Sequence, residues 1–188
     1  MIYYQKGDAT KPEMKENAQN YIIHCCNNKN RWGAGFVLAI NKAFGDDPRQ
    51  TYLHASQELG TISIVKVGPN LHVINMIGQH DTVPIEGISP VRYPALVKAM
   101  KEVNKTIPDN SRIHFPLFGA GLAGGCWDTI EILINGIFGK NFELYGYVFP
   151  TDTQYMYLIQ RQKILERIAR NPEIINDLFK RLDEPIVD

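Results

Sequence analysis

Long apolar runs, an excess of charge of either sign and paired cysteines are all scarce in this sequence, and each scarcity removes a class of function. No stretch approaches the roughly 18 consecutive apolar residues of a membrane-spanning helix. The opening residues MIYYQKGDAT lack the basic start and apolar centre of a signal peptide, so a cytoplasmic protein is expected. Twenty basic side chains are matched by twenty acidic ones, which leaves no field to favour nucleic acid or an anionic membrane. A small anion held by backbone N–H groups is compatible with that balance. The three cysteines, Cys25, Cys26 and Cys126, show no C-x-x-C spacing, so neither a disulfide framework nor a metal site is expected, only reduced and mostly buried thiols. Internal repeats and low-complexity linkers are also missing.

What is present is an ordinary globular composition, 44% apolar over 188 residues, enough for one domain with a substantial core and an appendage. The apolar periods predict strands near 2–4, 21–25, 62–67, 71–77, 112–117 and 144–149, and helices over 36–44, 48–59, 92–106 and 127–138. Residues 78–90, broken three times by glycine or proline, read as a loop. From 151 to 188 the apolar positions recur at helical spacing, and Asn171-Pro172 marks a fresh helix start. The expected organisation is a domain over 1–150 and a two-helix extension over 151–188 that packs on the domain or on a partner, a second copy included.

Two polar, glycine-bearing loops stand out. The first runs from Asn27 through Gly33-Ala34-Gly35 into Phe36, and the second from Phe118 to Gly125. Gly119, Gly121 and Gly124 spell G-x-G-x-x-G between a strand and a helix, with Glu143 nineteen residues beyond. A nicotinamide site is nevertheless disfavoured, because only one helix and one strand follow before the tail, whereas that fingerprint opens a long series of βαβ units. Each loop leaves a strand and starts a helix, so between parallel neighbours the two would meet at the strands' carboxyl ends. Backbone N–H groups gathered there suit a phosphate-bearing ligand.

Gly7-Asp8 after the first strand, a strand ending His24-Cys25-Cys26-Asn27, Gly33-Ala34-Gly35-Phe36 opening a helix, and the Gly119–Gly125 loop together resemble the macro domain, an ADP-ribose-binding family. The resemblance spans roughly residues 1–149 and implies a three-layer α/β/α fold with a mixed sheet, to which the helical extension is added. It also implies binding roles. Asp8, between Gly7 and Ala9, would accept a hydrogen bond from the adenine amino group, and Asn27 would hold the distal ribose hydroxyls. Gly33, Ala34, Gly35 and Phe36 would wrap the distal ribose and near phosphate. Gly119, Ala120, Gly121, Leu122 and Ala123 would donate N–H groups to the diphosphate.

His24-x-x-Asn27, with Trp32 before the Gly-x-Gly, is most similar to the branch that removes the phosphate of ADP-ribose 1''-phosphate. In that reading His24 is the acid or base, Asn27 positions the ribose, and Asp81 and His80 are further catalytic candidates; no cofactor or metal is called for. A related branch hydrolyses ADP-ribose esters of protein carboxylates with a lysine and an aspartate, but Gln79 and Ala123 stand at the matching positions. A binding module without turnover, and de-ADP-ribosylation by a route that needs neither residue, are the alternatives. The expected partner is ADP-ribose or its 1''-phosphate.

Overall fold

A computed structural model describes residues 1–149, 154–171 and 173. Six strands, β1 (Ile2–Lys6), β2 (Asn20–Asn27), β3 (Ile62–Gly68), β4 (Leu71–Gln79), β5 (Arg112–Pro116) and β6 (Glu143–Val148), form one sheet in the order β1-β6-β5-β2-β4-β3. Every pairing is parallel except β3 with β4. The helices are α1 (Phe36–Phe44), α2 (Asp47–His54), α3 (Tyr93–Thr106), α4 (Trp127–Phe138) and α5 (Gln154–Arg170). None of them is long and apolar enough to cross a membrane, among the described residues.

The two-residue period of the strands sorts the core into two layers. Ile23 of β2 and Ile74 and Met76 of β4 face α3 and α4, joining Leu96, Met100, Ile130, Ile134 and Phe138. Their neighbours Ile22, Val73 and Ile77 face the other way and pack with Val37 and Ile40 of α1 and Tyr52 of α2. The central strands are thus apolar on both sides, as a sheet sandwiched between helices requires. This is the expected α/β/α architecture.

Several boundaries differ from expectation: β1 and β4 each run two residues further, to Lys6 and Gln79, so the loop expected from Gly78 begins after Gln79. Helix α2 stops at His54 rather than near Leu59, because the Gln57 amide donates to the Tyr52 carbonyl at 2.7 Å and to that of Ala55 at 3.2 Å. Those carbonyls then lack the N–H partners of a continuing helix. Strand β2 extends to Asn20 and Asn27, where Asn20 pairs with both Leu71 and Arg112.

Helix α5 lies along β1. Its Leu158 is fully buried in the α3/α4 layer, the Gln162 side chain accepts the outward N–H of Tyr4 at 2.8 Å, and Arg161 pairs with Asp128 and Glu131 of α4. The second helix expected in the tail falls outside the described residues.

Candidate functional site

Because β1, β6, β5, β2 and β4 run parallel, their carboxyl ends share one edge of the sheet, and the connections that leave them converge there. They enclose a cleft of about 910 Å³. At one end the N–H of Gly7 donates to the Val148 carbonyl at 3.1 Å, tying the loop after β1 to the end of β6. In the middle the two glycine loops face each other across about the width of a methyl group: a methyl placed on Gly35 would sit 3.6 Å from Leu122. Gly35 has φ +77°, a backbone state that favours glycine and turns the chain into α1.

Both loops present unused donors. The N–H groups of Gly33 to Val37, and again those of Gly119 to Ala123, find no acceptor among the described residues. Leu38 is the first residue of α1 whose N–H is satisfied, by Gly35 at 3.2 Å. The second loop is closed on itself by Gly124 donating to Gly121 and Gly125 donating to Gly119, at 2.9 and 2.8 Å, while Val91 donates to Ala123 at 3.1 Å. Donors held this way converge on an anion without a conformational search.

Asn27 organises the first loop. A bulge at Cys26/Asn27 re-aims it as β2 ends. Its Oδ1 accepts the N–H groups of Lys29 and Arg31 at 2.9 and 3.1 Å, and its Nδ2 donates to the Arg31 carbonyl at 2.6 Å. Tyr52, fully buried, donates its hydroxyl to the Asn27 carbonyl at 2.7 Å and reaches Oδ1 at 3.1 Å. Tyr52→Phe is therefore expected to destabilise the fold by about 1–2 kcal/mol, measured by urea unfolding, and to increase protease nicking of residues 28–35. An unchanged unfolding midpoint would mean that Tyr52 does not fix this loop.

His24 is 1% exposed and packs edge-on against Trp32 and Phe36. Asn75 donates its amide to the Pro48 carbonyl and the Ser63 hydroxyl, both at 3.1 Å, which leaves its oxygen to accept from His24 Nε2 at 2.7 Å. The other nitrogen, Nδ1, lies 3.6 Å from the Cys26 thiol. Both ring nitrogens thus have partners within the chain, and burial pushes the imidazole down to about 4, with the Asn75 bond a smaller, opposing effect. At neutral pH it is an uncharged wall of the cleft. Burial likewise pushes the Cys25 thiol up to about 12 and the Cys26 thiol well above its ordinary value, so both are inert. Of the thiols expected to be mostly buried, Cys26 is buried, Cys25 partly so, and Cys126 is exposed at the start of α4.

Asn28 ties the first loop to the connection after β4. Its Oδ1 accepts the Asp81 N–H at 3.1 Å, so its Nδ2 donates to His80 Nδ1, also at 3.1 Å. Asp81 accepts the Thr82 N–H at 2.7 Å and pairs with Arg31 at 3.3 Å. The Thr82 bond is the largest effect and, with the Arg31 charge, holds its carboxyl below the usual range against burial, which opposes them and outweighs the Arg31 charge alone. No group of three metal-ligating side chains occurs among the described residues.

No protein-family model matches the chain. A macrodomain protein from Streptomyces coelicolor, however, is 33% identical, with a TM-score of 0.65 and an alignment covering 79% of this chain and 99% of that one. The chain is a macrodomain. A Bacteroides thetaiotaomicron protein of unknown function is 37% identical, with a TM-score of 0.73 and coverage of 78% and 97%. An Oceanobacillus iheyensis macrodomain mutant, solved with ADPR, shares the fold at 18% identity, with a TM-score of 0.62 and coverage of 87% and 92%. Among curated relatives, the chromodomain-helicase-DNA-binding protein 1-like of Danio rerio is 27% identical over 147 residues, 71% of this chain. The macrodomain spans only 14% of that relative's length, and 18% of its Mus musculus counterpart.

Of the residues expected at the macrodomain's site, Gly7, Ala9, His24, Asn27, Gly33, Ala34, Gly35, Phe36, Gly119, Gly121, Leu122 and Ala123 line the cleft. Asp8, Ala120, His80 and Asp81 do not; Asp8 instead accepts the Thr10 N–H at 2.9 Å, which shapes the loop after β1. Gln79 lines the cleft as well, as Ala123 does. Arg31, Thr82, Tyr147 and Phe149 are lining residues that the sequence reading did not single out. For Arg31 one signal existed, a cation in a loop suited to anions, but Lys29 two residues earlier carries the same signal and does not line the cleft; for the others position in the fold decides, and no motif marks them.

Proposed function

We propose that this macrodomain binds ADP-ribose in the cleft at the strands' carboxyl ends. The observation that carries this reading is the pair of facing glycine loops whose N–H groups, Gly33 to Val37 and Gly119 to Ala123, have no acceptor among the described residues. Three or four such bonds to charged oxygens, at about 1.5–3 kcal/mol each, reach the roughly 8 kcal/mol of micromolar binding without an arginine cluster. The ligand of the Oceanobacillus iheyensis macrodomain has the diphosphate this arrangement calls for. In this reading Asn27 holds the distal ribose, whereas Asp8, expected to accept from the adenine amino group, stands outside the cleft lining with its Oδ1 on the Thr10 N–H. Calorimetric titration with ADP-ribose is expected to give micromolar affinity, and absence of heat at millimolar ligand would refute the reading.

The finer activity we propose is removal of the phosphate of ADP-ribose 1''-phosphate. What favours it is the charged group at the β4 end of the cleft, Arg31 with Asp81. Since both nitrogens of His24 are engaged, His24 shapes the wall, and proton handling is assigned to Asp81, which sits behind the lining residues Arg31 and Thr82 that it contacts, with His80 beside it. Phosphate release by the native chain and its loss in Asp81→Asn would support this; binding without release makes the chain a binding module.

A further inference from the structure

Resting on the reading of the cleft as an ADP-ribose site, we propose that Arg31 determines specificity, selecting ligands that carry an additional anionic group, of the class of a phosphate monoester, at the β4 end of the cleft. Among the described residues that line the cleft, Arg31 alone carries a full charge. The diphosphate does not need it, because the glycine loops of β2 and β5 supply unpaired N–H groups in the middle of the cleft. The end formed by β1 and β6, where Gly7, Ala9 and Val148 lie, has no cation among its lining residues. Arg31 instead leans towards β4, where its guanidinium meets the residues that follow Gln79.

The arrangement is built for exchange. The Arg31 backbone is clamped through both its N–H and its carbonyl by Asn27, at 3.1 and 2.6 Å, so the root of the side chain is fixed. The side chain itself is 57% exposed. Its contacts with Thr82 Oγ1 at 3.0 Å and Asp81 Oδ1 at 3.3 Å both use the one nitrogen Nη1, and the N–H groups of Nη2 and Nε have no acceptor among the described residues. Those remaining donors form the planar fork that suits a phosphate or carboxylate. The Arg31 half of the pair stands in water while the Asp81 side chain is 17% exposed, and because Asp81 keeps the Thr82 N–H at 2.7 Å when the arginine leaves, the guanidinium can be moved to a ligand. Asp81 stays behind, held by the N–H of Thr82 and by Asn28. A ligand that ends in uncharged hydroxyls offers this arm only neutral acceptors, which gain less from it than an anion does.

The test compares affinities for ADP-ribose and ADP-ribose 1''-phosphate by calorimetry at low temperature, with phosphate release followed in parallel, for the native chain, Arg31→Gln and Asp81→Asn. The native chain is expected to prefer the phosphorylated ligand by about tenfold, the lower end of what a charge-assisted hydrogen bond supplies. Arg31→Gln should erase that preference. Asp81→Asn keeps an oxygen for the Thr82 N–H but removes the competing charge, and should widen the preference about threefold. The proposal is overturned if the native chain shows no preference, if Arg31→Gln leaves it intact, or if Arg31→Gln weakens both ligands equally. Failure of the native chain to bind either ligand refutes instead the reading of the cleft. A thermal melt of each variant confirms that it is folded.

Discussion

Replacing Gly125 with alanine is expected to abolish ligand binding in the cleft, with an affinity loss of at least about 100-fold. A methyl group on Gly125 would lie 2.6 Å from the Gly119 carbonyl oxygen and 3.1 Å from Val91. The first of these is backbone, which cannot rotate away as a side chain would. The same oxygen accepts the Gly125 N–H at 2.8 Å, the bond that closes the loop. Relief therefore requires Gly119 to move, and Gly119 has little freedom, since its φ is +76° and its own Cβ position lies 3.0 Å from Ile130. The five N–H groups from Gly119 to Ala123 shift with it, and losing two bonds to charged oxygens costs about 3 kcal/mol, or 100-fold in affinity. The overpacking itself should lower stability by about 1–3 kcal/mol in urea unfolding. Gly121→Ala is the contrast, because nothing lies within 4 Å of its Cβ position and the fold should keep its stability. Full affinity in Gly125→Ala would refute the role given to this loop.

Stability is expected to fall steeply as the pH drops from 6.5 towards 4. His24 and His114 are both buried, and burial lowers their folded values to about 4 and about 3, with the Arg112 charge adding to the effect at His114. Their hydrogen bonds call for the neutral ring. Asn20 donates its amide to the carbonyls of Ala18 and Asn70, so its oxygen accepts from His114 Nε2, and the Tyr147 hydroxyl faces Nδ1 at 3.1 Å. The unfolded chain takes up a proton on each imidazole below about 6.5, whereas the folded chain refuses it. The stabilisation is thus complete above pH 6.5 and is lost as the pH falls, at about 1.4 kcal/mol per pH unit for each histidine until its folded value is reached. The full loss, about 3 kcal/mol from His24 and about 5 kcal/mol from His114, rivals the 5–15 kcal/mol total stability of a typical domain. Urea unfolding at pH 7, 6 and 5 checks this, and a flat profile over that range would refute it.

Much of this was legible along the chain. Helices α1 and α4 fall within the predicted limits because glycine or a polar residue bounds an apolar period at each end. The convergence of the two glycine loops followed from strands read as parallel neighbours, and β2 and β5 are adjacent in the sheet. The surroundings of His24 were not legible. Its partner Asn75 is 51 residues away, and whether an imidazole in an apolar strand faces a ligand or an amide depends on that distant residue. The same holds for Asn27, whose side chain is largely engaged by Arg31, Lys29 and Tyr52, the last lying on a helix with no motif that points to it. Asp81 read as part of a polar triplet; its pairing with Arg31 joins loops from different strands.

The seat of Gln162 on Tyr4 bears on how copies of this chain meet. β1 ends the sheet, and a terminal strand offers its outward N–H and carbonyl groups as a template for a foreign strand, the usual route to edge-to-edge aggregation. Here a side-chain amide already occupies the Tyr4 N–H, and the helix that carries it is pinned by Leu158 and Arg161. Helix α5 is in that sense a guard: strand addition at β1 must first peel it away, so conditions that loosen α5 are those under which the chain should begin to aggregate.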